Sequence, residues 1–140
     1  VSIRIRPFAE TDTEDVVALW EDAGLTRPWN DPRRDIARKL RVQPELFLVA
    51  LHEERVVGTV MGGYDGHRGW LYYLAVAGTY RGRGIGAALV QDVEARLLAM
   101  GCPKVQLMVR PDNDAARGFY AALGYEHFDT WATGKRLIAD

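Results

Sequence analysis

One cysteine in 140 residues excludes a disulfide within the chain and fits a reducing compartment. That residue, Cys102, sits in Gly101-Cys102-Pro103 behind a helical pattern, where a packed thiol is expected rather than a nucleophile. Charge of one sign is also missing. The formal net charge is −1, so no broad basic field points to nucleic acid or to an anionic membrane. No apolar run approaches the ~20 residues that span a bilayer, and no signal-peptide core opens the chain. Repeats, low-complexity tracts and linkers are absent as well. What remains is 48% apolar and 26% charged, enough to bury a core without metals or disulfides. A single domain over residues 1–140 is expected, cytoplasmic, with no metal and no nucleic-acid or membrane partner.

The element pattern is rich. Ile3 and Ile5 alternate with Arg4 and Arg6, predicting a half-exposed strand that Pro7 ends. A helix follows over Glu14–Ala23, with Val16, Val17, Leu19 and Trp20 on its apolar side, and then a proline-containing loop over 24–32. A shorter helix over Arg33–Val42 turns Ile36 and Leu40 inward. Leu46–Leu51 and Val56–Tyr64 read as a hairpin, and Trp70–Val76 as a central strand, apolar on both faces. Ile85, Leu89, Val93, Leu97 and Met100 mark a long core-facing helix from Gly84 to Met100. A strand over Lys104–Val109, a helix from Asn113 to Leu123 and a closing hairpin over Tyr125–Trp131 and Lys135–Ile138 complete the order βααβββαβαββ. This predicts an α/β fold of α+β character, with helices on a mixed, mostly antiparallel sheet.

The most informative stretch is Tyr80-Arg81-Gly82-Arg83-Gly84-Ile85-Gly86-Ala87. A strand that turns through glycines into a helix start gathers free backbone N–H groups at the positive end of the helix dipole, a site for phosphate. A P-loop needs Gly-x4-Gly-Lys-Ser/Thr, which the chain lacks. The loose dinucleotide pattern Gly82-x-Gly84-x-x-Ala87 fails on context. Ala77–Tyr80 intervene after the strand, residues 101–104 hold no carboxylate, and the flanking strands read as hairpins.

The third pattern, Arg81-Gly82-Arg83-Gly84-Ile85-Gly86, occurs with the later Asn113…Phe119-Tyr120…Leu123-Gly124-Tyr125. Together they resemble the GNAT superfamily of acetyl-CoA-dependent N-acetyltransferases over essentially the whole chain. Residues 25–32, 58–69 and 134–138 are similar to the bacterial YpeA-type acetyltransferases. The resemblance implies acetyl-CoA as co-substrate and no metal. It places the coenzyme diphosphate on the N–H groups of Arg81, Gly82, Arg83, Gly84, Ile85, Gly86 and Ala87. The pantetheine arm falls along the backbone of Leu74, Ala75 and Val76, with Asn113 as a further polar contact or simply a helix cap. It also implies transfer to a primary amine of a small molecule or a protein, by direct attack in a ternary complex.

That reaction needs a neutral amine and a proton for the departing thiolate. A lysine-like amine with pKa ~10.4 is neutral in well under one molecule in a thousand at pH 7, whereas an N-terminal amine near ~8 starts better placed. Tyr120 matches the family's general acid, and a phenol stays protonated at neutral pH. For the base, Trp70 and Met108 stand where relatives carry glutamate. The remaining candidates are His67 and Asp65 in the loop before the central strand, Tyr72 and Tyr73 acting through water, or an acceptor that arrives neutral. The missing glutamates also keep a second reading open, a coenzyme-binding module without turnover. Acceptor recognition falls to Trp29 and Asn30 in the loop between the first two helices, with Arg27, Asp31, Tyr64, Tyr72 and Trp131 able to line the same cleft. The closing hairpin would offer an edge for a homodimer.

Overall fold

The alternation at the start of the chain becomes β1 (Arg4–Pro7), whose register against β2 (Phe47–His52) pairs Ile5 with Ala50. The computed structural model describes residues 2–140. Two helices separate these strands, α1 (Thr13–Asp22) and α2 (Pro32–Lys39). Asp31 caps α2 by accepting the Arg33 N–H, and Pro32 occupies the first turn, where its missing donor costs nothing. The Glu53-Glu54 turn then leads into β3 (Arg55–Tyr64), and the Asp65–Arg68 turn into β4 (Gly69–Val76). After the glycine-rich turn come α3 (Ile85–Ala99), β5 (Val105–Gln106) and α4 (Asp114–Ala122).

The sheet runs β1-β2-β3-β4-β5. Its first three pairings are antiparallel and β4–β5 is parallel, which gives the mixed, mostly antiparallel sheet expected from the sequence. β2 is buried over its first five residues because both faces of the sheet are covered. On one face Trp20 of α1 and Ile36 of α2 join Phe47, Val49, Leu51 and Met61. α3 covers the other face, and it approaches so closely that a Cβ on Gly62 would stand 2.5 Å from Val93 Cγ2. Cys102 is buried against Leu97 and Gly69, as a packed thiol.

Residues up to Gln106, with Asp140, form one compact unit, and Leu107–Ala139 form another. The second unit contains α4 but no strand. The expected strand over Lys104–Val109 shrinks to Val105–Gln106, and the closing hairpin over 125–138 does not form. A two-stranded hairpin needs a further strand or a packed helix to be stable, and residues 125–139 pair with no strand. Trp131 and Leu137 are accordingly open to solvent. The edge considered for a homodimer goes with the hairpin. Met100, expected in the core, caps the end of α3 and is exposed.

Candidate active site

β4 ends at Val76, and Gly78–Tyr80 form one tight turn before the glycines. Gly82 and Gly84 have φ of +77° and +80°, values that a side chain rarely tolerates. A Cβ on either would meet nothing within 4 Å, so this bend is open space rather than packed core. Gly84 caps α3, and the Ala88 N–H bonds its carbonyl at 3.0 Å. The N–H groups of Ile85, Gly86 and Ala87 therefore precede the first intrahelical bond and have no carbonyl of their own helix to meet. No side chain caps them, and the first turn holds no carboxylate. Ile85 itself is buried and fixes the helix start on β3, near Gly58. The cradle has the chemistry a diphosphate requires. Its flanking arginines are anchored by other groups: Arg81 Nε donates to the Val76 carbonyl at 3.2 Å, and Arg83 lies over the Tyr80 ring at 5.2 Å.

The strand leading into this turn is not straight. Thr59 opposes Ala75 and Met61 opposes Tyr72, so Val60 faces two residues, Tyr73 and Leu74. This is a β-bulge, and Tyr73 takes φ of +53° within it. Thr59, fully buried, holds the bulge: its Oγ1 donates to the Tyr73 carbonyl at 2.8 Å and accepts the Trp20 indole N–H at 2.9 Å. The Tyr73 ring stacks on Trp20 with centroids 3.7 Å apart. Beyond the rung Trp70↔Gln106, β5 pairs with β4 no further, so Leu71–Val76 have no strand on that side. Leu74, Ala75 and Val76 thus present one backbone edge just before the glycine turn. A cavity of about 280 Å³ lies at this end, lined by Leu19, Asp22 and Ala23 of the α1 end and by Val76, Gly78 and Arg81.

On the α1–α2 face, Tyr73 Oη donates to Asp35 Oδ2 at 2.6 Å, and Asn30 Nδ2 donates to the same oxygen at 2.6 Å. Burial, and then the Asp35 carboxylate, push the Tyr73 phenol well above its ordinary pKa. Tyr73 is thus a committed donor and unsuited to act as base. Burial also raises Tyr72, with Asp65 adding to it, although part of that side chain stays open. Trp29 is 62% exposed in the loop beside Asn30. Tyr64 is not on this face. It shares the α3 face with Gly62, and its hydroxyl lies 3.5 Å from the Gly101 carbonyl. Sequence reasoning missed Trp20, Thr59 and Asp35. A lone threonine inside the apolar run Val56–Met61 was the available signal.

The loop before β4 gives no base near the glycine turn. Asp65 accepts the His67 and Arg68 N–H groups at 2.8 and 2.7 Å, and these bonds draw its carboxyl below the usual range. It closes a turn. His67 stands at the opposite end of β4 from Leu74–Val76, about 20 Å away at ~3.3 Å per residue. In the second unit, Asn113 caps α4 by accepting the Ala116 N–H at 3.0 Å. Tyr120 meets Phe119 and Tyr125 edge-on, with centroids 5.0 and 5.4 Å apart. Burial pushes its phenol up to about 12. Met108 and Trp131 are exposed. Among the described residues no group of three or more His, Cys, Asp or Glu is placed to hold a metal, and no helix is long and apolar enough to cross a membrane.

The profile of the Acetyltransferase (GNAT) family matches residues 9–125, from the loop before α1 through α4. The chain belongs to the GNAT acetyltransferase family. An acetyltransferase of Yersinia pestis strain Pestoides F is 56% identical over 138 residues, spanning 99% of this chain and 98% of its own. Among solved structures, Ard1 from Thermoplasma volcanium superposes with a TM-score of 0.75 at 28% identity, covering 89% of this chain and 82% of that one. A chain of the NatC complex bound to Gag peptide and CoA gives 0.78 at 25% identity, covering 92% and 87%. This GNAT protein is therefore an acyltransferase. Proteins of the GNAT fold use acetyl-CoA, in keeping with the open bend at Gly82–Gly84.

Proposed function

We propose that this chain moves the acetyl group of acetyl-CoA to a primary amine of a small molecule or a protein by direct attack in a ternary complex. The observation that carries the reading is the uncapped start of α3 behind two open left-handed glycines. The N–H groups of Ile85, Gly86 and Ala87 would hold the diphosphate, with Arg81, Gly82, Arg83 and Gly84 around it. Leu74, Ala75 and Val76 offer their backbone edge to the pantetheine amides, and Asn113 offers its amide. When bound, acetyl-CoA supplies the acetyl group as a thioester.

The protein's own residues do the rest. Backbone N–H groups near Ala75 and Val76 stabilise developing negative charge on a carbonyl oxygen. Tyr120 Oη keeps its proton throughout the neutral range and gives it to a thiolate. β4 itself, Gly69–Val76, carries no carboxylate or imidazole to act as base, and the acceptor amine enters neutral, between Trp29, Asn30 and Tyr72. Amines of low pKa are then favoured.

The deciding experiment measures thiol release from acetyl-CoA and N-acetyl product across amines of graded pKa, as a function of pH. An inflection that tracks the pKa of each amine supports the reading. An inflection fixed at one pH for every amine would show an enzymic base and overturn that part. Absence of product with every amine would overturn the whole.

A further inference from the structure

Among the described residues three polar or charged ones are buried: Asp12, Thr59 and Lys39. Two have their partners. Asp12 is bridged by Arg6, and Thr59 bonds Trp20 and Tyr73. Lys39 has none. It ends α2 with 9% of its surface exposed. Among the described residues it makes no hydrogen bond, and no carboxylate lies within 4.0 Å of its ammonium. Its Nζ is still not sealed from solvent.

The neighbours explain why no internal partner is available. Nζ stands 3.8 Å from the place a Cβ would take on Gly63. Gly63 pairs with Trp70 of β4, so the ammonium lies over the β3–β4 rungs on the α2 side. Gln43 shares that space, but both ends of its amide are bound to the backbone of Tyr64, at 2.9 and 2.8 Å. Asp35 lies one turn back on the same helix face and is already occupied by Tyr73, Asn30 and Arg38. Glu45 acts on Lys39 from beyond ion-pair range, while burial pulls the Lys39 pKa below its ordinary value.

An ammonium that has lost part of its hydration and has no counter-charge beside it is unfavourable, and an apolar side chain would pack there at no such penalty. Its retention points to a charge supplied from outside. We propose that Lys39 is an anion-recognition residue of the acceptor pocket, so that the amine acetylated by this protein also carries a carboxylate or phosphate, which pairs with Lys39 at the Gly63–Trp70 rung. This rests on the reading that the acceptor binds on the α1–α2 face. Carboxylate and phosphate share the acceptor oxygens that an ammonium requires, and Lys39 lies on the same face as Asn30 and Tyr73.

The test has a binding arm and a turnover arm. The chain has three lysines, Lys39, Lys104 and Lys135, so their side-chain NMR signals can be followed separately during titration with acetate and with inorganic phosphate at constant ionic strength. A saturable shift of the Lys39 signal alone is expected, and the better of the two ions identifies the anion class. No shift, or a parallel unsaturable drift of all three signals, overturns the proposal. In the turnover arm, thiol release per neutral amine, with each amine's own pKa used to correct for its neutral fraction, is compared within two pairs, phenylalanine against phenylalaninamide and phosphoethanolamine against ethanolamine. The wild type should favour the anionic member of one pair by about tenfold or more in kcat/KM. Lys39→Met, which keeps the stem and removes the charge, should erase that preference and leave acetyl-CoA affinity unchanged. Equal rates within both pairs overturn the assignment. Should no amine be acetylated while Lys39 still binds the ion saturably, acetyl transfer to amines fails and the anion site stands. If Lys39→Met does not fold, the wild-type titration decides.

Discussion

Tyr73 of β4 donates its phenol proton to Asp35 of α2 at 2.6 Å, a bond that crosses 38 positions of sequence and ties that helix to the bulged strand. The same tyrosine is held by Thr59 through its carbonyl and by Trp20 through its ring. Tyr73→Phe keeps the stacking and removes only this link. It should lower stability by about 1 kcal/mol, raise the acceptor KM several-fold and leave acetyl-CoA affinity as it is. Urea unfolding and steady-state kinetics check this, and an unchanged KM would show that the bond does not position the acceptor side.

Gly84 has φ of +80°, and nothing lies within 4 Å of its would-be Cβ. Gly84→Glu places a carboxylate at the start of α3, where it would repel a bound diphosphate, and forces a side chain into a left-handed conformation. Coenzyme A affinity measured by calorimetry should fall by at least about 100-fold, roughly 2.7 kcal/mol. Wild-type affinity in this variant would remove the bend as the phosphate site.

Burial holds the Tyr120 phenol at about 12, so its hydroxyl is protonated at every pH at which the enzyme would be assayed. Tyr120→Phe should lower kcat by about 100-fold, within the usual range for a lost general acid, with acetyl-CoA affinity near wild type. The loss should be smaller for an acyl donor with a better leaving group. An unchanged kcat excludes Tyr120 from proton donation.

What could be read from residues alone was whatever local chemistry reports directly. Gly82 and Gly84 announce left-handed backbone, and the four-residue spacing from Ile85 to Leu97 announces α3 and its buried face. The bulge was hidden, because Trp70–Val76 reads as an unbroken apolar strand whether or not one rung holds an extra residue. Its consequence was hidden too. Alternation along β3 puts Tyr64 on the α3 face with Gly62, away from Asn30, and only the packed helices reveal which face is which. Nothing in the sequence around Asp35 and Lys39 sets them apart, since the features that mark them, Tyr73 and the space over Gly63, come from strands far along the chain. His67 fits a base by residue type, yet the length of β4 separates it from Leu74–Val76.

Asp12 gives a prediction for the fold itself. Its carboxylate is buried, which by itself would raise its pKa, but the Arg6 guanidinium and the Ala9 N–H outweigh burial and hold it below the ordinary value. Arg6 meets both oxygens, at 2.7 and 3.0 Å, and the Ala9 N–H donates at 2.8 Å. Because the pKa in the folded chain lies below that of the unfolded chain, near ~3.9, folding is favoured by ionisation. The contribution is complete above about pH 5 and disappears as pH falls through the folded value. Asp12→Asn keeps the shape and removes the charge, leaving Arg6 partly buried against a neutral amide. It should cost about 1–3 kcal/mol at pH 7 and progressively less on acidification, so that the two proteins converge as pH falls through the folded Asp12 value. Denaturant unfolding at a series of pH values measures this directly, and a difference independent of pH would mean that packing, not charge, accounts for the cost at this position.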